Sequence, residues 1–352
     1  MKIAILGDTH FGMRGDSLAF HALYSKFYKD IFFPYLLQNG ITTIFQLGDL
    51  FDRRKYISFQ SLALCRKYFF DEISRYNLEL HVLLGNHDIT YRNTLEVNSP
   101  ELLLQEYTNN IFIYNEPASW QGIDIIPWIC KDNEQQINEY ISRSNNSVCF
   151  GHFELAGFEM DRGNFCHEGM DPSILRRYEI VLSGHFHHKS SQGNITYVGT
   201  PGEMTWADYN DDRGFHIFDT NTRELEFIAN PYRMFYKIKY NDDDMQYNEV
   251  AEADYSQYTG KQVKIVVEKR NNSFIFDTLI DCLTKANPVD VSVVEDFSDT
   301  ILASDDVKID EAEDTISILD KYVDGLTLPV DSSKIKGILR DVYFEAMTAE
   351  NS

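Results

Sequence analysis

Over the first 235 residues, short apolar runs alternate with longer stretches of helical spacing. KIAIL, TTIFQL, LHVLL, SVCF and EIVLS are mostly apolar throughout, the pattern of strands whose sheet is covered on both faces. SFQSLALCRKYFFDEISRY (58–76) instead carries apolar side chains at helical spacing, with Ser58 placed to cap its N-terminus. Strands alternating with helices predict an α/β architecture. Farther along, NITYVGTP, RGFHIFDT and ELEFIAN alternate with period two between turn residues, which predicts strands added antiparallel.

A second unit begins near Tyr236. KQVKIVVEK and VDVSVVEDF read as strands flanking NSFIFDTLIDCLTKA, a helix capped by Asn272 or Ser273, so the three make a small β-α-β module. From about residue 298 the chain turns acidic and then shows two helical patterns, ISILDKYVDGL and SKIKGILRDVYFEAM. The second has an apolar stripe of Ile335, Ile338, Leu339, Val342 and Met347. With 352 residues the chain exceeds one ordinary core, and the expected domains are 1–235, 236–297 and 298–352.

Composition adds limits. A hydrophobic fraction of 43%, with 24 Phe and 21 Tyr, supports folded cores and excludes a disordered chain. MKIAILGDTH meets Asp8 too early for a signal peptide, and no run approaches the roughly 18 apolar residues of a membrane span, so a soluble, cytoplasmic protein with no membrane partner is expected. Five scattered cysteines without a CxxC point to neither a disulfide framework nor a thiolate metal site. The net charge of −23 is uneven: residues 241–352 hold 25 acids against 10 bases. Such a chain cannot hold a polyanion by bulk charge, so any contact with nucleic acid needs bound cations or a partner.

The chemistry is concentrated where the apolar runs stop. Five of them end in glycine plus a polar residue: Gly7-Asp8, Gly48-Asp49, Gly85-Asn86-His87, Gly151-His152 and Gly184-His185. In open α/β sheets sites form beyond the carboxyl ends of strands, so these turns would deliver metal-competent side chains to one edge. His10 and His187 stand two residues from Asp8 and His185, a spacing that puts both side chains of each pair on one face. Seven candidates follow: Asp8, His10, Asp49, Asn86, His152, His185 and His187. They are too many for one ion and suit two ions sharing a carboxylate. Four imidazoles among them favour Mn, Fe, Co or Zn over Mg²⁺ or Ca²⁺. His188, next along, is expected to point elsewhere, and His21, His81, His167 and His216 lie outside the pattern.

DTH, GDLFDRR, GNHD, GHFE and SGHFHH resemble, in order and spacing, the five motifs of the calcineurin-like dimetal phosphoesterases. Within that superfamily the chain is most similar to SbcD-type DNA nucleases, and in IPWICKDN, GHFELAGF, YVGTPGEMT and DDRGFHIFDT to the recombination-nuclease subunits of T-even bacteriophages. The resemblance implies a four-layer α/β/β/α sandwich with a small α+β capping domain (236–297) and C-terminal helices that dock a partner (298–352). It puts Asp8, His10, Asp49 and His187 on one ion and Asp49, Asn86, His152 and His185 on the other, with Asp49 bridging. His87 is then the catalytic imidazole, Asp52 its orienting partner and Arg53 a phosphate clamp.

The same resemblance implies Mn²⁺ as the working ion with Mg²⁺ as the alternative. It implies a DNA exonuclease, with possible endonuclease activity, serving recombination, repair and replication in the cytoplasm of a phage host. An SbcC-type coiled-coil ATPase would be its partner, and a homodimer would form through SLALCRKYFFDEI and SPELLLQEY. The competing expectations are a metallophosphatase or nucleotide phosphodiesterase not specific for DNA, and a metal-bound scaffold without activity.

Overall fold

The apolar runs build two sheets rather than one. In the computed structural model, which describes residues 1–295 except Arg162, sheet one opens with β1 (Lys2–Leu6), β2 (Thr43–Gln46), β3 (Glu79–Leu83) and β4 (Ile111–Tyr114), all parallel. Sheet two takes β5 (Ala118–Trp120), β6 (Ile123–Ile126) and β7 (Val148–His152). After a hairpin of β8 (Glu159–Asp161) and β9 (Asn164–Phe165), it adds β10 (Ile180–Gly184), β11 (Ser190–Gln192) and β12 (Ile195–Tyr197). Its order is β11-β12-β10-β7-β6-β5. The chain then returns to sheet one as β13 (Gly214–Asp219) and β14 (Leu225–Ala229), completing β14-β13-β1-β2-β3-β4.

Period-two alternation sorts even the all-apolar strands. Ala4 and Leu6 of β1 face an outer helical layer, while Ile3 and Ile5 face the other sheet. The inter-sheet core joins Ile3, Ile5 and Phe45 to Ile125, Phe150 and Leu182, all at most 1% exposed. Each such side chain contributes about 1.5–3 kcal/mol on burial. Outside sheet one lie two long helical runs, Leu18–Phe27 continuing to Phe33–Gln38, and Phe59–Cys65 continuing to Asp71–Arg75. Outside sheet two lies Glu134–Arg143, which buries Ile137 and Ile141. The result is the expected four-layer α/β/β/α sandwich.

Three details depart from or extend the sequence reading. The helix expected over 58–76 starts where anticipated, Ser58 Oγ accepting the Ser61 amide at 3.1 Å, but is interrupted by a π-helical turn at Arg66–Phe70. A matching turn at Tyr28–Phe32 faces it, with the Tyr28 ring 4.6 Å from Phe69. Strand β12 is antiparallel to β11, as expected, but runs parallel to its other neighbour, β10. The chain reverses once through the loop holding His185 and His187 and again at the β11–β12 turn, and period-two alternation carries no direction. Strands β13 and β14 are antiparallel as anticipated.

The last described strands form a third sheet, parallel throughout: β15 (Phe235–Asn241), β16 (Gln262–Lys269) and β17 (Asp290–Glu295). Helices Tyr247–Glu252 and Ser273–Lys285 cover one face around Tyr240, Val263, Ile265 and Leu279. Asn272 is the N-cap of the longer helix, accepting the Phe274 amide. Strand β15 precedes the β-α-β unit read from the sequence. The helices anticipated beyond residue 298 lie outside the described residues.

Candidate active site

Strands β1, β2 and β3 of sheet one and β7 and β10 of sheet two end at a common edge, and all seven candidate ligands meet there. Backbone pairing continues past β1 and β2, for the amides of Thr9 and His10 both donate to the Asp49 carbonyl, at 3.1 and 3.0 Å. From sheet two, the His185 amide donates to the Asp8 carboxylate at 3.0 Å. Glycine is required where the sheets touch. A Cβ on Gly48, whose φ is 95°, would lie 2.3 Å from His152 Nδ1, and one on Gly184 would lie 2.6 Å from Asp8 Oδ1. His10, Asp49 and His185 themselves adopt left-handed backbone, with φ of 44°, 53° and 90°. Each costs on the order of 1–3 kcal/mol, strain of the kind held at functional sites by surrounding structure.

Two clusters result. Asp8, His10 and His187 form one, and Asp49, His152 and His185 the other, each with its donor atoms within 4.8 Å of one another. Asn86 joins the second, its Oδ1 lying 3.1 Å from His152 Nε2 and 3.0 Å from His185 Nδ1. Asp49 Oδ2 reaches both, at 3.5 Å from His152 Nε2 and 3.8 Å from His10 Nε2. In the first cluster the Nε2 atoms of His10 and His187 stand 3.2 Å apart. Ligands about 2.1 Å from one ion sit roughly 3.0–3.4 Å from each other, so these separations suit cation coordination. Convergence of four imidazoles with carboxylate and amide oxygens at a buried edge fits a pair of divalent metals.

Burial and charge set the ionisation here. Burial pushes the Asp8 carboxyl up to about 6, against the opposing pull of His152. For His10 and His152 burial favours the neutral ring, but surrounding carboxylates outweigh it and raise both to about 9, Asp52 and Asp49 at the first and Asp49 at the second. Asp49 stays well below the ordinary carboxylate range: burial opposes this, and His152 and His10 prevail. Burial and the charge of His152 lower His185 to about 3.

His87 lies beside the clusters without joining them, its ring centroid 4.8 Å from that of His10. Its Nδ1 is 2.6 Å from the backbone carbonyl of Asp52, and its amide donates to Asp49 Oδ1 at 2.7 Å. The anticipated pairing of His87 with the Asp52 carboxylate is not seen. That carboxylate lies 3.4 Å from His10 Nδ1, an electrostatic contact, while the carbonyl of the same residue faces His87. Arg53, anticipated as a phosphate clamp, is held by Asp16 at 3.3 Å and lies over the Tyr56 ring. His188 turns from the clusters to Asp211 at 2.8 Å, while His187 faces them.

Several supporting residues carried no assignment from the sequence. Asp88, fully buried, accepts the amides of Leu50, Phe51 and Gly85 and ties the loops after β2 and β3 together. Its signal was present as the carboxylate ending GNHD. The Leu47 carbonyl lies 2.6 Å from His152 Nδ1, which fixes the tautomer and leaves Nε2 facing the cluster. Trp128, from IPWICKDN, walls the second cluster, its ring centroid 5.2 Å from His185. Buried Arg213 joins Asp208 and Asp211 and donates to the His187 carbonyl. No periodicity or spacing marks these last three.

Residues 1–189 match the family model described as calcineurin-like phosphoesterase. Exonuclease subunit 1 of Enterobacteria phage T4 is 34% identical over 343 residues, 95% of each chain. The SbcD subunit of the SbcCD nuclease of Staphylococcus epidermidis is 23% identical over 96% of this chain and 98% of its own. A solved archaeal phosphodiesterase covers 65% of this chain and 99% of its own at 15% identity, with a TM-score of 0.34, a likeness too low to bear on function.

Proposed function

The chain belongs to the calcineurin-like phosphoesterase family, and on that premise we propose that it is a metal-dependent DNA nuclease acting in recombination. The observation that carries the chemistry is the pair of clusters sharing Asp49 Oδ2. The substrate reading is supported by similarity, along nearly the whole chain, to two proteins that are nucleases by name. Asp8, His10, Asp49 and His187 would hold one ion, and Asp49, Asn86, His152 and His185 the other. Four imidazoles favour Mn²⁺ over Mg²⁺ in these positions.

Bound cations supply Lewis acidity toward the phosphoryl oxygens and make water more acidic. The remaining work falls to protein groups. Asp49 carries negative charge to both clusters and, through its other oxygen, holds the His87 amide. His87 keeps Nδ1 on the Asp52 carbonyl, which directs Nε2 toward the reacting phosphate, where it protonates the departing oxygen. Asp52 thus acts twice, its carbonyl orienting His87 and its carboxylate steadying His10. Residues 236–297 serve as the capping module.

Because both relatives are named as subunits, a second subunit is part of this reading. We assign it as a coiled-coil ATPase docked through residues 298–352, with two copies of this chain pairing through their early helices. End-labelled duplex DNA incubated with Mn²⁺ or Mg²⁺, with and without the co-encoded ATPase, tests substrate, metal and partner together. Cleavage in Mn²⁺ supports the reading. A protein that hydrolyses phosphopeptides or small phosphate esters and leaves DNA intact sinks it.

A further inference from the structure

The loops after β2 and β3 carry Arg53-Arg54-Lys55 and Tyr91-Arg92 beside the metal clusters, and their arginines are not alike. Arg53 is occupied by Asp16 and Tyr56. Arg54 has no carboxylate partner among the described residues, and its Nη1 is buried without a hydrogen-bond acceptor. Arg92 is exposed and likewise has no carboxylate partner among them. After burial, the charge of Arg92 is the main influence lowering the proton affinity of Arg54, and the carboxylate of Asp49 is the opposing one. Arg54 is therefore placed where it feels both Arg92 and the carboxylate shared by the clusters.

The backbone holds this arrangement. Thr90 Oγ1 reaches the Arg54 carbonyl at 3.5 Å, joining the two loops, and two residues earlier the Asp52 carbonyl orients His87. In a chain with 55 acidic residues, two guanidinium groups on joined loops, both left without a carboxylate, lack an anion that the described residues do not supply. Guanidinium presents a planar fork matched to phosphate oxygens. Tyr91, 60% exposed beside Arg92, offers an aromatic face of the kind on which bases stack. The occupant that fits is thus a nucleic-acid strand rather than a free phosphate ion.

We propose that Arg54 and Arg92 form a phosphate subsite that holds a phosphodiester of the substrate strand next to the one being cut. The proposal rests on the nuclease reading above. Its test compares wild type with the Arg54→Met/Arg92→Met double variant of the full chain, on a labelled oligonucleotide and on bis(p-nitrophenyl) phosphate, which has one phosphoryl group. The ratio of kcat/KM for DNA to that for the small ester falls about tenfold or more, mainly through KM, and the salt dependence of KM becomes shallower by about one or two in log-log slope. Anisotropy of a fluorescent oligonucleotide in EDTA shows a similar loss of affinity, and the melting temperature is unchanged or higher because a repulsive pair has gone.

A parallel fall on both substrates, a lower melting temperature, or an Arg53→Met variant that alone reproduces the loss overturns the subsite. Competition by inorganic phosphate that the double variant abolishes, with oligonucleotide binding intact, assigns the pair to free phosphate and also overturns it. Wild-type protein that hydrolyses only the small ester overturns the nuclease reading itself.

Discussion

Among the candidate ligands, sheet one brings mainly oxygen to the shared edge, in Asp8, Asp49 and Asn86, with His10 as its one imidazole; sheet two brings imidazoles alone, in His152, His185 and His187. Neither sheet completes a cluster. Each group of three takes at least one residue from both, so metal affinity depends on how the sheets pack as much as on which residues are present. The inter-sheet core of Ile3, Phe45, Phe150 and Leu182 is therefore the foundation of the chemistry. Sheet two also depends on sheet one for orientation, since His152 is fixed by the Leu47 carbonyl and the His185 amide by Asp8.

The strongest way to break this division is to remove the residue that serves both clusters. Asp49→Ala is expected to lower turnover by about 10³-fold or more and to weaken metal at both positions, read by calorimetric titration. His152→Ala should empty mainly one position, so equal loss at both in that variant would contradict the division. A smaller effect on binding, with a large one on rate, follows from His87. His87→Ala should retain both metals while losing about 10²- to 10⁴-fold in turnover, measured by single-turnover cleavage.

The protons held at the edge sharpen the comparison further. His10 from sheet one and His152 from sheet two are each raised to about 9 by neighbouring carboxylates, after burial has opposed the shift. Those protons must leave before the nitrogens bind a cation, so apparent metal affinity should rise with pH up to about 9. The gain approaches tenfold per pH unit for each proton displaced. Titrations in buffers of different ionisation enthalpy would count the protons; affinity flat between pH 7 and 9 would contradict the assignment.

The smallest effect separates the sheets by stability. Sheet one contains two buried histidines outside the metal site, His81 on β3, lowered by burial to about 4, and His216 on β13, lowered by burial and Lys189 to about 3. Both stay neutral in the fold at pH values where the unfolded chain takes up protons, so the unfolded state binds more protons below about 6.5 and stability falls with acidification. The loss is about 2 kcal/mol per histidine between pH 6.5 and 5. Denaturant midpoints of His81→Phe, whose ring can keep the stacking on Phe45, should show a correspondingly shallower acid dependence.

Much of the site was legible because it is written at strand ends. A glycine followed by a ligand at the close of an apolar run specifies both backbone and donor, and five repetitions distinguished Asp8, Asp49, Asn86, His152 and His185 from ordinary turn residues. The spacing of two in DTH and HFH likewise added His10 and His187 and set His188 apart. Asp52 shows the limit. Sequence placed it beside His87, but only backbone geometry shows that its carbonyl takes that role while its carboxylate faces His10. Arg53 and Arg54 are neighbours of the same type, and sequence cannot tell which one Asp16 neutralises.

By itself, then, the amino-acid order determined the alternation of strands and helices, the two faces of each strand and the donors at their ends, since these follow from local periodicity and residue chemistry. The direction of β12, the paired π turns, the supports supplied by Asp88, Trp128 and Arg213, and the different fates of adjacent arginines were decided by tertiary structure. Each depends on a contact between segments far apart in the chain, where packing and charge balance select among conformations that local sequence leaves open.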